Sequence, residues 1–259
     1  MDVAAVTRQN RVYWEAIAAG RLGEPVEFFR AGGCALSDDE LAATGDPAGL
    51  RVLHLACSIG DECLSFAQLG AVRVVGVDIS PTHLATGRAK AETLGVDVDL
   101  REGDLTALDP ELTGFDLIFI SGGGICWVPD LDAWSRTVAE RLAAGGRVVI
   151  SEHHPLWEVL TVAGPNQLTV TGDYLDPTRR GYSDSAKAPQ VTLGMTDPLP
   201  PHTSFVWSLG QVVTALLGAG LIIRALREVA QPELYQGLGP AAGALPAAYL
   251  LVAERPAAS

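Results

Sequence analysis

The sequence predicts an α/β fold, a doubly wound sheet of seven strands with a small cap insertion at residues 156–204. Three observations lead there. Short apolar runs ending in small or acidic residues alternate with helical patterns from residue 51 to residue 151, as βαβ units do. Two of these runs lead to an acid at matching places, Asp78 after the second strand and Asp104 after the third. Between the fifth strand and the next helix lie nearly fifty residues of changed periodicity, too many for a plain connection in a compact domain.

The first unit organises the rest. Val52, Leu53 and Leu55 make a buried strand, and the chain then breaks into Ala56, Cys57, Ser58 and Gly60. A helix follows, apolar at Leu64, Phe66, Ala67 and Leu69 and stopped at Gly70; Val74 to Asp78 is the second strand. Small side chains let a ligand approach the backbone, and the free N–H groups of a helix start favour its negative end. An acid at the tip of the second strand suits the two hydroxyls of a ribose.

This stretch resembles the S-adenosylmethionine (SAM) site of class I methyltransferases, in a variant reading His-Leu-x-Cys-x-x-Gly where acid-x-Gly-x-Gly-x-Gly is usual. His54 stands where the acid is expected, Ala56 and Ser58 replace two glycines, and Gly60 is retained. The resemblance covers roughly residues 10–155 and 205–254. It implies a Rossmann-like SAM-binding domain over 1–155 and 205–259, its sheet mostly parallel with an antiparallel C-terminal strand. It also implies cofactor contacts at Ala56, Cys57, Ser58, Gly60, Asp78 and Ile79. An ordinary βαβ unit without a ligand is the plainer reading, and a nicotinamide fold would require Gly-x-Gly-x-x-Gly, which is absent.

Taken in order, residues 1–30 carry a helix with Val12, Tyr13, Trp14, Ile17 and Ala18 on one face, Asn10 as a cap and Gly20 as its end. By the resemblance Tyr13 and Trp14 lie over the cofactor; as plain aromatics they dock a terminal helix. Ser37-Asp-Asp-Glu40 reads as a capping box. Ser80-Pro81 starts a helix that runs to Leu94 and stops at Gly95, and Val96 to Leu100 is the third strand. Gly103, Asp104 and Leu105 resemble the family's adenine clamp, with Asp104 accepting from the exocyclic amine; a turn residue is the alternative. Phe115 to Ser121 is the fourth strand, and Ser121, Gly122 and the two glycines after it face the crevice where the strand order reverses. Asp130 caps a helix ended by Gly145-Gly146, and Arg147 to Ser151 is the fifth strand. Glu152-His153-His154-Pro155 follows. A neutral imidazole can take a proton near neutral pH, so His154, then His153, is the candidate general base, against a capping or core histidine. Glu-His-His lacks the spaced helical ligands of a metal motif, and no metal is expected.

In the insertion, Gln167 to Thr171 and Gln190 to Leu193 read as short strands. Tyr174, Arg179, Arg180, Tyr182 and His202, with Trp127, are the candidate substrate contacts. Ser208-Leu-Gly-Gln211 is a second capping box, and Leu221 to Val229 and Ala248 to Ala253 are the last two strands.

A formal net charge of −13 without a long basic run argues against nucleic acid. No apolar run of about 18 residues exists, and the acidic start is unlike a signal peptide, so a cytoplasmic protein with no membrane partner is expected. Cys34, Cys57, Cys63 and Cys126 form no Cys-x-x-Cys pair and read as reduced thiols. The leading functional reading is SAM-dependent methyl transfer to an O or N atom of a small molecule, with homodimer formation open. A SAM-binding cyclase-like protein and a nicotinamide oxidoreductase are the alternatives.

Overall fold

The computed structural model describes residues 2–176, 178–180, 195 and 198–257. Five parallel strands form its centre: β1 (Arg51–Leu55), β2 (Arg73–Asp78), β3 (Asp99–Glu102), β4 (Phe115–Ser121) and β5 (Leu142–His153). Two more, β10 (Ile222–Val229) and β11 (Ala248–Glu254), complete a sheet ordered β10-β11-β5-β4-β1-β2-β3. β11 runs antiparallel to both neighbours. This is the seven-stranded, mostly parallel Rossmann-like sheet expected. β1 pairs with β2 on one side and β4 on the other, so the chain reverses its order of travel there and a crevice opens beyond the strand ends.

Both faces of the sheet are covered, because side chains alternate along each strand. Leu53, Leu55, Ile118, Ile120, Val148 and Ile150 point to one face, under Trp134 and Val138 of α6 (Leu131–Arg141) and Val212 and Leu216 of α8 (Leu209–Gly218). Val52, Val74, Leu117, Phe119 and Val149 point to the other. Phe66 of α4 (Asp61–Gln68) and Leu84 of α5 (Pro81–Leu94) cover that face. Each such side chain contributes about 1.5–3 kcal/mol by leaving water.

Local signals set most element ends. Ser80 caps α5 with Pro81 at its first position, and Gly95 ends it in the left-handed region. Both capping boxes form, Ser37 with Glu40 on α3 (Asp38–Thr44) and Ser208 with Gln211 on α8. Some boundaries differ from the expected ones. Asp2 accepts from the Ala5 N–H, so α1 spans Val3–Ala18 and Asn10 is a buried mid-helix residue rather than a cap. α6 ends at Arg141 and the glycine pair lies inside a longer β5, where a Cβ on Gly146 would sit 2.7 Å from the Phe115 carbonyl oxygen.

The described parts of the stretch expected as a cap insertion lie at two places. α7 (Pro155–Val159) and the β6 (Leu160–Gly164)–β7 (Gln167–Val170) hairpin lead it. Trp157 packs there with Tyr235, Leu238 and Ala247, and its indole N–H donates to the Leu234 carbonyl at 2.8 Å. The second half pairs β8 (Thr178–Arg180) with β9 (Thr203–Phe205), and β9 meets α1. Tyr182 and the strand expected at 190–193 lie outside the described residues. No helix among the described residues is long and apolar enough to cross a membrane.

Candidate functional site

The loop from β1 to α4 takes a demanding path. Ala56 and Ser58 sit at φ +54° and +52°, and Gly60 at +84° caps α4. A left-handed residue with a Cβ costs roughly 1–2 kcal/mol. Hydrogen bonds to and within the loop offset that cost. Cys57 N–H donates to the Val77 carbonyl at 3.0 Å and Gly60 N–H to the Cys57 carbonyl at 2.8 Å. Ser58 N–H donates to Asp78 Oδ2 at 2.7 Å. The other Asp78 oxygen accepts from Ser80 N–H at 2.9 Å. An ionised carboxylate has about four acceptor positions, so Asp78 keeps capacity for a ligand's hydroxyls.

Beyond β3, Asp104 Oδ1 accepts from the Thr106 N–H at 2.8 Å and its hydroxyl at 2.7 Å, closing a turn. Asp104 also lines the cleft, so the turn and the wall are one residue. Beyond β4, Gly122 and Gly123 lie at φ +62° and +89° with open space where a Cβ would stand. Buried Glu152 holds this loop from beneath, accepting from Ile125 N–H at 2.7 Å. Burial pushes its carboxyl up to about 8, against the pull of the Ile125, Gly123 and Gly124 N–H groups.

α1 lies across these loops and is fastened at three points. Glu15 accepts from the Ser80 hydroxyl and, at 2.8 Å, from the Thr82 hydroxyl. Burial works against the Glu15 charge, but these bonds hold its carboxyl below the usual range. Arg11 pairs with Glu102 at 2.5 Å. Asn10 clips β9, its Nδ2 donating to the Thr203 carbonyl at 2.8 Å and its Oδ1 accepting from Thr203 N–H at 2.9 Å. Trp14 then meets Trp127 edge to face at 5.1 Å.

Between these elements lies a cleft that is partly open to solvent. Buried polar atoms on its wall, His54 Nε2, Ser58 Oγ and His83 Nε2, have no hydrogen-bond partner among the described residues. A polar ligand would satisfy them, and an acid placed for a ribose beside a left-handed loop fits an adenosyl group.

Most of the expected cofactor residues come together here. Trp14, Ala56, Cys57, Ser58, Asp78 and Ile79 line the cleft, as do Gly103, Asp104, Leu105, Ser121 and Gly122, with Trp127 beside them. Gly60 stands behind the loop as a helix cap. Tyr13 is fully buried against Trp14 and Trp127, with the His202 ring 4.2 Å away and also in contact with Trp127, so Tyr13 and His202 back the wall without lining it. Burial pushes the His202 imidazole down to about 4.

The two histidines at the end of β5, His153 and His154, are not at the cleft. His154 caps α7, with Nδ1 accepting from Leu156 N–H at 3.0 Å and Nε2 2.9 Å from Glu228 Oε1. His153 packs against Trp157, ring centroids 4.7 Å apart and the planes tilted. Tyr174 also lies off the wall, and Arg179 and Arg180 enter the β8–β9 pairing through their backbones. Residues not anticipated as site residues are Asn10, Arg21, His54, Glu62, His83 and Glu152. The first five line the cleft. A buried Asn on an apolar helix face and a His at the end of β1 were the available signals.

Residues 52–146 match the family model for a methyltransferase domain. The chain is 29% identical over 169 residues to a ubiquinone biosynthesis O-methyltransferase of Rhodopseudomonas palustris (strain BisA53), covering 62% of this chain and 65% of that protein. Across such curated relatives the chain spans 50–65% of their length. Among solved structures it is similar to a SAM-dependent methyltransferase from Mesorhizobium loti, with TM-score 0.65, 23% identity, and 91% and 100% of the two chains covered. It is equally similar to the cyclase SpnF, with TM-score 0.64, 17% identity and 98% of each chain covered. At these identities the structural likenesses establish the fold.

Proposed function

We propose that the chain is a class I SAM-dependent methyltransferase and that it transfers the methyl group of SAM to an oxygen or nitrogen atom of a small molecule, a reading supported by the methyltransferase-domain match over residues 52–146. One observation carries this reading. Asp104 after β3, Asp78 at the end of β2 and the left-handed loop after β1 line one cleft, an order that suits the adenine, ribose and sulfonium of SAM. Asp104 accepts from the adenine amine, and Asp78 takes the ribose hydroxyls while holding Ser58 and Ser80.

SAM supplies an already activated methyl group, so the protein's part is alignment and exclusion of water. α1, fastened through Glu15, Arg11 and Asn10, closes the cleft, and Trp14 and Trp127 give the acceptor apolar faces beside the bare backbone of Gly122 and Gly123. These surfaces suit a flat, ring-bearing acceptor with a hydroxyl or amine at its edge. The similarity to ubiquinone biosynthesis O-methyltransferases favours the hydroxyl. Selection among acceptors falls to the β8–β9 half of the insertion, because β9 is clipped to α1 next to the two tryptophans. His154, with both ring nitrogens engaged away from the cleft, serves the fold rather than the reaction.

Calorimetry with SAM, and with NADH as control, tests the cofactor. A screen of phenols and amines for release of S-adenosylhomocysteine tests the reaction. Binding of NADH in preference to SAM overturns the reading. An acceptor rearranged without S-adenosylhomocysteine release supports a cyclase instead.

A further inference from the structure

The cofactor's long axis can be followed along the sheet edge, and it ends at an acid the usual motif does not use. Adenine at β3 and ribose at β2 leave the amino-acid tail of SAM at β1, the next strand in the sheet. The usual pattern has an acid at the next-to-last position of β1, whose negative charge would suit the tail's ammonium. Here it is His54, whose Nδ1 faces Cys63 Sγ at 3.6 Å and whose Nε2 is buried without a partner among the described residues. An imidazole carries no negative charge, so it is a weaker host for an ammonium than a carboxylate.

Two acids open α4, directly after the cofactor loop. Asp61 is fully engaged: Lys90 Nζ lies 2.7 Å from Oδ1 and Glu24 N–H donates to Oδ2 at 2.7 Å. Glu62 is different. It lines the cleft on the same side as His54, is part-buried, and has no Lys or Arg ion-pair partner among the described residues. Burial pushes its carboxyl up, with His54 pulling the other way. A carboxylate withdrawn from water and facing a ligand cleft gains most when a cation arrives with the ligand.

We propose that Glu62 receives the α-ammonium of the SAM tail, taking over from the first turn of α4 the role that an acid at His54 would have had. The inference rests on the cleft being the SAM site. Glu62 is thus a cofactor-positioning residue: with Asp78 at the ribose it fixes both ends of the chain that carries the sulfonium.

Two neutral-sulfur ligands separate this inference from its premise. S-adenosylhomocysteine carries the amino-acid tail, and 5′-methylthioadenosine lacks it. Calorimetry should give Glu62→Gln a roughly 10–100-fold weaker affinity for S-adenosylhomocysteine, the range for a charge-assisted hydrogen bond. Its affinity for 5′-methylthioadenosine should be unchanged, which also shows that the cleft remains folded. Asp78→Asn, at the ribose, should weaken both ligands. Equal affinity of the parent and Glu62→Gln for S-adenosylhomocysteine overturns the role of Glu62 while leaving the SAM reading in place. An equal loss for both ligands also overturns it, since Glu62 would then support the loop and not the tail. A parent protein that binds neither ligand overturns the premise, and the inference with it.

Discussion

His154 shows what a single residue's neighbourhood decides. Its place after β5 and before Pro155 suits a catalytic base, yet Nδ1 accepts from Leu156 N–H and Nε2 faces Glu228, 74 positions along the chain. That partner is set by β11 lying between β5 and β10, which no local pattern announces. His154→Gln should therefore keep turnover within a few-fold of the parent, while losing about 1 kcal/mol of stability with the α7 cap. Activity assays on a found acceptor, paired with urea unfolding, check both halves; a hundred-fold fall in turnover would return His154 to the reaction. Asp78 and Asp104 were legible for the opposite reason. Their positions follow from strand order alone, and each ends where a parallel strand must deliver it.

At the scale of elements, α1 is an amphipathic helix that its sequence announces, but what it does depends on polar residues buried within it. Asn10 looks like a helix cap and is a clip, saturated by the two backbone groups of Thr203, 193 residues away. Asn10→Ala leaves those groups buried and unpaired, at about 1–3 kcal/mol each. The expected outcome is a lower unfolding midpoint and faster proteolysis around β9, with the rest of the sheet still protected from hydrogen exchange. Uniform loss of protection across the sheet would refute a local clip. Residues 156–204 stand out in the sequence as a segment of their own by length and prolines. That the described parts of this segment dock at different places is not legible there, because Trp157 finds its partners near Tyr235 and β9 finds its own on α1.

The whole molecule sums these parts in its response to pH. His202 is held near 4 by burial against an unfolded value of about 6.5. Below pH 6.5 the unfolded chain takes up a proton that the folded one refuses, so stability is lost as pH falls from about 6.5 toward 4. Glu152 runs the other way. Its folded value of about 8 exceeds that of the unfolded carboxyl, so its contribution is lost as pH rises toward 8. A single unfolding curve mixes the two, and a difference separates them. Relative to His202→Gln, the parent should lose on the order of 2 kcal/mol between pH 7.5 and pH 5.0, read by urea unfolding. A constant difference would show that His202 titrates normally. The central parallel strands were readable because short buried apolar runs alternate with helical patterns. The side-chain environments that move these pKa values arise only when distant elements meet.

The left-handed backbone of Ala56 and Ser58 also divides the heat of cofactor binding. Asp78 and Val77 already hold the loop in shape, so its conformational entropy is lost when the chain folds rather than when the ligand arrives. Association should therefore carry little entropic cost from ordering this loop. In an Ala56→Gly, Ser58→Gly double variant, the residues usual for such loops would relieve the strain and loosen the backbone. Calorimetry should then show SAM binding with a more unfavourable entropy and a lower affinity, although the variant has the more familiar sequence. An unchanged entropy would mean that the hydrogen bonds alone keep the loop rigid.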